Sequence, residues 1–202
     1  FKVNFYAYLK VGLENDSNFK TRDILWVQGK LHGKPIHLFV NHWPSRRGGA
    51  EDSEPKRLAA SKVLRANIDS ILTSNPNAQI IAMGDFNDDP KDLSIRNLMG
   101  TNPLHPAKKS TQLENPWKEY LKKGQGSLAY RGDWNLFDMH LYSSTFLSEK
   151  APLKLLDYGV YTREELFQKE GDYMGYPNRT FGGNLYLGGY SDHLPTYLIL
   201  VY

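Results

Sequence analysis

Apolar and polar residues alternate with the two-residue period of a β-strand in several short stretches, and with the period of a helix in one long stretch. Thr21 to Lys30 and Pro35 to Asn41 have strand patterns, and His32-Gly33-Lys34 between them carries turn chemistry, so the pair predicts a β-hairpin. A polar loop from Pro44 to Asp52 follows. Ala60, Leu64, Ile68, Ile71 and Leu72 recur at helical spacing and predict a helix over Ser53 to Thr73 with one buried face. Ser53 is its candidate N-cap, Pro55 suits the first turn, and Asn75-Pro76-Asn77 stops it. Ala78 to Met83 is a short apolar strand, and a short helix is predicted near Ser94 to Met99. Residues 101–126, rich in Pro, Lys, Gly and Asn, predict a long, partly irregular loop. Further strands are expected at Ser127 to Tyr130, Asn135 to Tyr142, Leu153 to Tyr158 and Leu194 to Val201. Thr162 to Gln168 predicts a short helix with Thr162 and Glu165 as a capping box, and the Gly- and Tyr-rich stretch Gly171 to Gly189 predicts a loop over the site. There is no internal repeat and no dividing linker, so residues 1–202 are expected to form a single domain of helix layered on sheet.

Composition narrows the class. The chain is 40% hydrophobic and 23% charged, as globular proteins are. No apolar run is long enough to span a membrane; the longest, Ile36 to Val40 and Leu198 to Tyr202, suit buried strands. A net charge of +3 mildly favours a polyanionic partner and equally describes an ordinary basic surface. The absence of cysteine excludes disulfides and thiolate metal sites and leaves the compartment open, secretion or periplasm included. The first residue is Phe1, in strand-like sequence with no signal-peptide pattern, which suggests a fragment whose targeting signal would lie upstream.

Three segments put acids, amides and imidazoles at strand ends. In Asn41-His42-Trp43-Pro44-Ser45-Arg46-Arg47-Gly48-Gly49, the strand delivers Asn41 and His42 to its exit. The loop then offers Ser45 and two arginines whose forks match phosphate oxygens, with glycines that let backbone N–H groups come close. A surface turn with a solvated arginine pair is the other reading. In Gly84-Asp85-Phe86-Asn87, Asp85 and Asn87 alternate out of the strand on the same side and suit a hard cation and a positioned water, while Phe86 points back to the core. A simple Asp-Asn turn is the alternative; Asp88, Asp89 and Pro90 begin the next turn. Ser191-Asp192-His193-Leu194-Pro195 offers a cation ligand beside a group that exchanges protons near neutral pH, although an Asp-His pair alone is common.

In this order and at these strand ends, NHWPSR, GDFN and SDHLP resemble the endonuclease/exonuclease/phosphatase superfamily (deoxyribonuclease I-like), in a bacterial-type member. Tyr130 to Asp138 (YRGDWNLFD) is similar to the family strand whose aspartate orients the catalytic histidine. The resemblance runs from Ile24 to Tyr202. It implies an α+β class, an α/β sandwich of four layers with mixed, mostly antiparallel sheets. It also implies a metal-dependent phosphoesterase in which an activated water attacks in line, without a covalent enzyme intermediate. His193 would be the catalytic histidine, Asp138 its orienting partner, Asp85 the group that orients or deprotonates water, and Asn87 a holder of a phosphoryl oxygen. His42 would bind the phosphate, with Asn41 supporting it and Ser45, Arg46 and Arg47 contacting substrate. Asp192 and Asp85 would hold the metal, Mg²⁺ or Mn²⁺. The substrate would be a phosphate ester of nucleic acid, phospholipid head group or sugar, with nuclease-like activity ranked first. A phosphate-ligand-binding module that kept the fold without the chemistry is the alternative.

The departure from the family pattern is at the front. The family places an asparagine and then a glutamate on strands well upstream of the NHWPS-like motif. Here only Glu14, Asp16 and Asp23 are acidic upstream of Asn41, none in a matching strand context. Roughly a hundred or more residues, judged from typical element lengths, are expected to be missing on the N-terminal side. The chain is therefore expected to expose apolar surface on an incomplete sheet, to bind metal weakly and to turn over slowly.

Overall fold

The structure, a computed structural model, describes residues 1–202. The chain opens with strands β1 (Lys2–Leu9), β2 (Ile24–Leu31) and β3 (Lys34–His42), then helix α1 (Ala50–Ser74), strand β4 (Ile80–Asp85) and helix α2 (Leu93–Met99). Strand β5 (Leu113–Glu114), helix α3 (Lys118–Lys122), and strands β6 (Leu128–Tyr130), β7 (Asp133–Asn135) and β8 (Asp138–Ser143) follow. The last strands are β9 (Lys154–Val160), the short hairpin β10 (Phe181–Gly182) and β11 (Leu185–Tyr186), and β12 (Thr196–Val201).

Six strands form one sheet in the order β1-β2-β3-β4-β8-β5. The β2–β3 hairpin turns on His32 (φ 47°) and Gly33 (φ 77°), the paired left-handed conformations of a tight two-residue turn. Only β3 and β4 run parallel, because α1 carries the chain back across the sheet between them. At their closest approach stands Gly84 (φ 128°), where a Cβ would overlap the Asn41 carbonyl.

Strand alternation sorts the side chains into two cores. Ile24, Phe39, Ile80, Ala82, Met139 and Leu141 meet Ala60, Leu64, Ile68 and Leu72 of α1, together with Ile95, Leu98 and Met99 of α2. On the opposite face Ile36, Ile81 and Tyr142 join Phe146 and Leu153, and Leu155, Leu198 and Leu200 of the β9–β12 pair close over them. The result is a mixed α+β sandwich of helices, a six-stranded mixed sheet and a two-stranded antiparallel sheet. The second sheet is narrow, so β1 is left uncovered: Val3, Tyr6 and Tyr8 are 53%, 60% and 61% exposed. No helix is long and apolar enough to cross a membrane.

Several predicted elements take another form. Helix α1 begins at Ala50, capped by Gly49 (φ 126°) without a side-chain bond, so Ser53 is not the N-cap. Its hydroxyl lies inside the helix, donating to the Gly49 carbonyl and accepting from Arg57. The strand expected over Asn135 to Tyr142 is broken at Leu136 and Phe137, whose backbone leaves the ladder to bond Asp89 and Phe86. Thr162 to Gln168 holds only a single 3₁₀ turn at Glu164–Leu166, capped by Arg163 rather than by a Thr162–Glu165 box. The irregular segment 101–126 contains β5 and α3, and 171–189 contains the β10–β11 hairpin.

Leu64 lies at the centre of the helix–sheet contact and is fully buried. Leu64→Ala should therefore destabilise the fold by about 2–5 kcal/mol in urea denaturation, through lost transfer energy and an unfilled cavity.

Candidate active site

Three adjacent strands deliver polar side chains to one end of the sheet. β3 ends at His42 and β4 at Asp85, and these two are partners in the parallel register. β8 runs the other way and begins at Asp138, directly opposite Asp85. Cross-strand partners share a face, so the three side chains stand in a row. His193, from the segment before β12, completes the group: its Nδ1 lies 2.7 Å from Asp138 Oδ2. On the other flank His42 Nε2 lies 3.5 Å from Asp85 Oδ2. Asp85, Asp138 and His193 each offer a ligand atom within 4.8 Å of the others.

Asn87 is held beside Asp85. Its backbone N–H donates to Asp85 Oδ1 at 2.8 Å, and its amide donates to Asp85 Oδ2 at 3.1 Å and to the Trp43 carbonyl at 3.0 Å. Its φ of 51° is the left-handed conformation, which Asn tolerates better than most side chains. Phe86 between them is buried edge-on against Trp43, as its place in the alternation predicts.

The structure thus brings together five of the sequence candidates: His42, Asp85, Asn87, Asp138 and His193. It places the others differently. Asn41 faces the helix side, where its amide donates to the Phe39 and Met83 carbonyls and accepts from Trp43 Nε1; it is a strut between β3 and β4 rather than a substrate contact. Arg46 points to the protein rather than outward. Its Nε donates to the Asn87 carbonyl at 2.9 Å and its Nη2 to Asp88 at 3.1 Å and Asp92 at 2.6 Å, with the guanidinium 4.5 Å over the Phe137 ring. Ser45 and Arg47 are exposed on the loop. Asp192 is exposed and outside the Asp85–Asp138–His193 cluster.

Two features escaped the sequence. Ser127, fully buried, donates to Asp138 Oδ2 at 2.6 Å, the same oxygen that meets His193. A serine at the head of a short strand carries no pattern that would have marked it. Asp88 and Asp89 do begin the turn after β4, but they are buried there, and the DDP string gives no sign of their partners.

Electrostatics follow from the geometry. Burial pushes the Asp85 carboxyl above its ordinary value and the facing Asp138 adds to it; His193, the Asn87 N–H and His42 work against this. Burial alone would lower His193, but the hydrogen bond and charge of Asp138, with Asp85 and Asp192, outweigh it and raise the imidazole. His140, two residues along β8 and half-buried, is pushed down to about 4 by desolvation. Two outcomes follow. A raised folded-state value means that His193 contributes stability fully below pH 6.5, lost as pH rises through that higher value. His193→Asn should flatten this part of a stability-against-pH curve. Because ionised Asp85 is disfavoured in the fold, Asp85→Asn should raise the thermal midpoint at pH 7 in the presence of chelator, by a few degrees in calorimetry.

The endonuclease/exonuclease/phosphatase family model matches residues 1–201. No curated protein matches the sequence. Among solved structures, D. rerio TDP2 complexed with a single-strand DNA product aligns over 100% of this chain and 68% of its own, at 15% identity and a TM-score of 0.58. The human Nocturnin catalytic domain with bound sulfate aligns over 76% of this chain and 50% of its own, at 22% identity and a TM-score of 0.50. The Bacteroides thetaiotaomicron mannosyl-6-phosphatase Bt3783 aligns over 98% and 67%, at 14% identity and a TM-score of 0.51. The chain spans half the length of the Nocturnin chain and 64% of a truncated C. elegans TDP2. The likeness in these structures is one of fold; the family-model match along almost the whole sequence establishes that this chain belongs to the endonuclease/exonuclease/phosphatase family.

Proposed function

We propose that this site hydrolyses a phosphate ester by in-line attack of water. The observation that carries the reading is the row His42, Asp85, Asp138 across three strands, with His193 locked on Asp138 at 2.7 Å. Asp85, its carboxyl raised, orients the water and takes its proton better than an ordinary carboxylate would. His42 flanks Asp85 and holds a phosphoryl oxygen, and Asn87 does the same when its amide N–H turns from Asp85 Oδ2 to the substrate. Asp138 fixes the His193 tautomer through Nδ1, leaving Nε2 to face the phosphate. With its raised value, His193 carries positive charge at neutral pH more often than a free histidine, which favours the negative charge building on phosphorus oxygens. The oxygen of water bonds to phosphorus as the ester oxygen leaves, and the enzyme forms no covalent bond.

The donor set fits a hard divalent cation. Asp85 and Asp138 face each other, and the charges that offset Asp85 are imidazoles. Mg²⁺ is commonly held by one or two carboxylates, with water and substrate oxygens completing its shell. Asp85, with Asp138 beside it and Asp192 at the rim, would hold Mg²⁺ or Mn²⁺. When bound, the ion neutralises charge on the phosphoryl and leaving oxygens. Among substrates a nucleic-acid phosphodiester ranks first, ahead of phospholipid head groups and sugar phosphates. One observation favours a phosphate-binding module without turnover: Asp85 and Asp138 already accept hydrogen bonds from Asn87, Ser127 and His193.

A panel of plasmid DNA, RNA, sphingomyelin, sugar phosphates, inositol phosphates and a chromogenic phosphodiester, assayed with Mg²⁺, Mn²⁺ or chelator, separates these. Turnover should require the ion, and Asp85→Ala or His193→Ala should each lower it by roughly a few hundredfold or more. Phosphate binding with no hydrolysis on any ester would leave the binding-module reading standing.

A further inference from the structure

Behind the site lies a buried ionic cluster that takes no part in the chemistry above. Asp88 is 2% exposed and Arg57, from the second turn of α1, is 1% exposed. Arg57 Nε and Asp88 Oδ1 form an ion pair at 2.7 Å. The other Arg57 nitrogens are tied into the start of its own helix: Nη1 donates to Ser53 Oγ at 2.7 Å and Nη2 to the Ala50 carbonyl at 2.9 Å. The same Asp88 oxygen accepts from Arg46, and Asp88 Oδ2 accepts from Ser94 at 2.6 Å. Arg46 in turn holds the carbonyl of Asn87. Asp89, next along the chain, accepts the Leu136 N–H at 2.7 Å and so reaches the stretch that leads into Asp138.

A buried charge pair is costly to desolvate and often adds little net stability, so its placement calls for a different account. We infer that Arg57 is a positioning residue: through Asp88 and Arg46 it fixes the left-handed turn at Asn87, and with it the aim of Asn87 and Asp85. The inference rests on reading this site as a phosphoesterase centre, but it concerns a residue that touches neither substrate nor metal. Helix α1 carries the chain from β3 to β4, so anchoring Asp88 to it ties the turn after β4 to a helix whose Ala60, Leu64, Ile68 and Leu72 are packed in the core. A guanidinium is required because one group must reach Asp88, Ser53 and the Ala50 carbonyl together. Lysine keeps the charge and loses the fork.

The test compares Arg57→Lys and Arg57→Met with the parent. It measures amide hydrogen exchange at Asn87, whose N–H bonds Asp85, and at Ile68 and Ile81 as core references. It also measures turnover of a chromogenic phosphodiester with Mg²⁺. Exchange at Asn87 should quicken about tenfold or more while Ile68 and Ile81 are unchanged, and kcat should fall about tenfold to a hundredfold with KM nearly constant, Lys being milder than Met. Unchanged exchange at Asn87, or equal loss at all three amides, would overturn the inference; so would a KM effect with kcat intact. Should Arg57→Met fail to fold, Arg57→Lys decides the matter by the same criteria. If the parent neither hydrolyses an ester nor binds phosphate, the phosphoesterase reading fails instead, and with no turnover to follow the exchange measurement decides by itself whether Arg57 sets Asn87.

Discussion

Two carboxylates, Asp85 and Asp138, are held opposite each other on neighbouring strands in a partly buried place, and nearly every polar group around them answers that repulsion. Like charges in direct cross-strand register destabilise a sheet unless something opposite in sign comes between or beside them. Here His193 leans on Asp138, His42 on Asp85, and N–H and O–H donors from Asn87 and Ser127 fill the remaining positions. The same repulsion, left partly uncompensated, makes Asp85, Asp138 and His193 a group that could hold a cation.

The sheet makes this juxtaposition possible. β3 and β4 run parallel because a long helix returns the chain, so both strands end on the same edge, while β8 enters antiparallel and begins there. Gly84 permits the β3–β4 approach just before Asp85, and the inward Asn41 stitches the two strands across that point. Polar residues therefore serve two purposes at adjacent positions. Asn41, on the helix face, secures backbone; His42, one residue on and on the other face, stands beside Asp85.

Behind the edge, Arg46, Arg57, Asp88 and Asp89 form a network whose bonds join the loop after β3, the start of α1, the turn after β4 and the approach to β8. These are the places where a sandwich is least restrained by its ladders. A network of charges there exchanges some stability for definite placement, because removing one member strands another in a buried position. The uncovered face of β1 contrasts with this, having aromatic rings but no partner layer in the structure.

The sequence alone determined what depends on local spacing. The alternation in β2, β3 and β4 and the helical recurrence of Ala60, Leu64, Ile68 and Leu72 gave the layers, and the order of the histidine, Asp-Asn and Asp-His motifs gave the family. His42, Asp85 and Asp138 were legible because each sits at a strand terminus where the two-residue period fixes its side chain, whereas Asn87 and His193, in the segments just after β4 and just before β12, were legible from their motifs. Only the tertiary structure decided which distant residues came to face them. That Arg46 turns inward to Asp88 and Asn87, that Ser127 reaches Asp138, that Asn41 is a strut, and that the strand before Asp138 breaks at Leu136 all depend on contacts between segments far apart in the chain. A dipeptide pattern records the direction a side chain leaves its own backbone; it holds no information about which buried charge or carbonyl will be waiting there, because that is set by the packing of the layers.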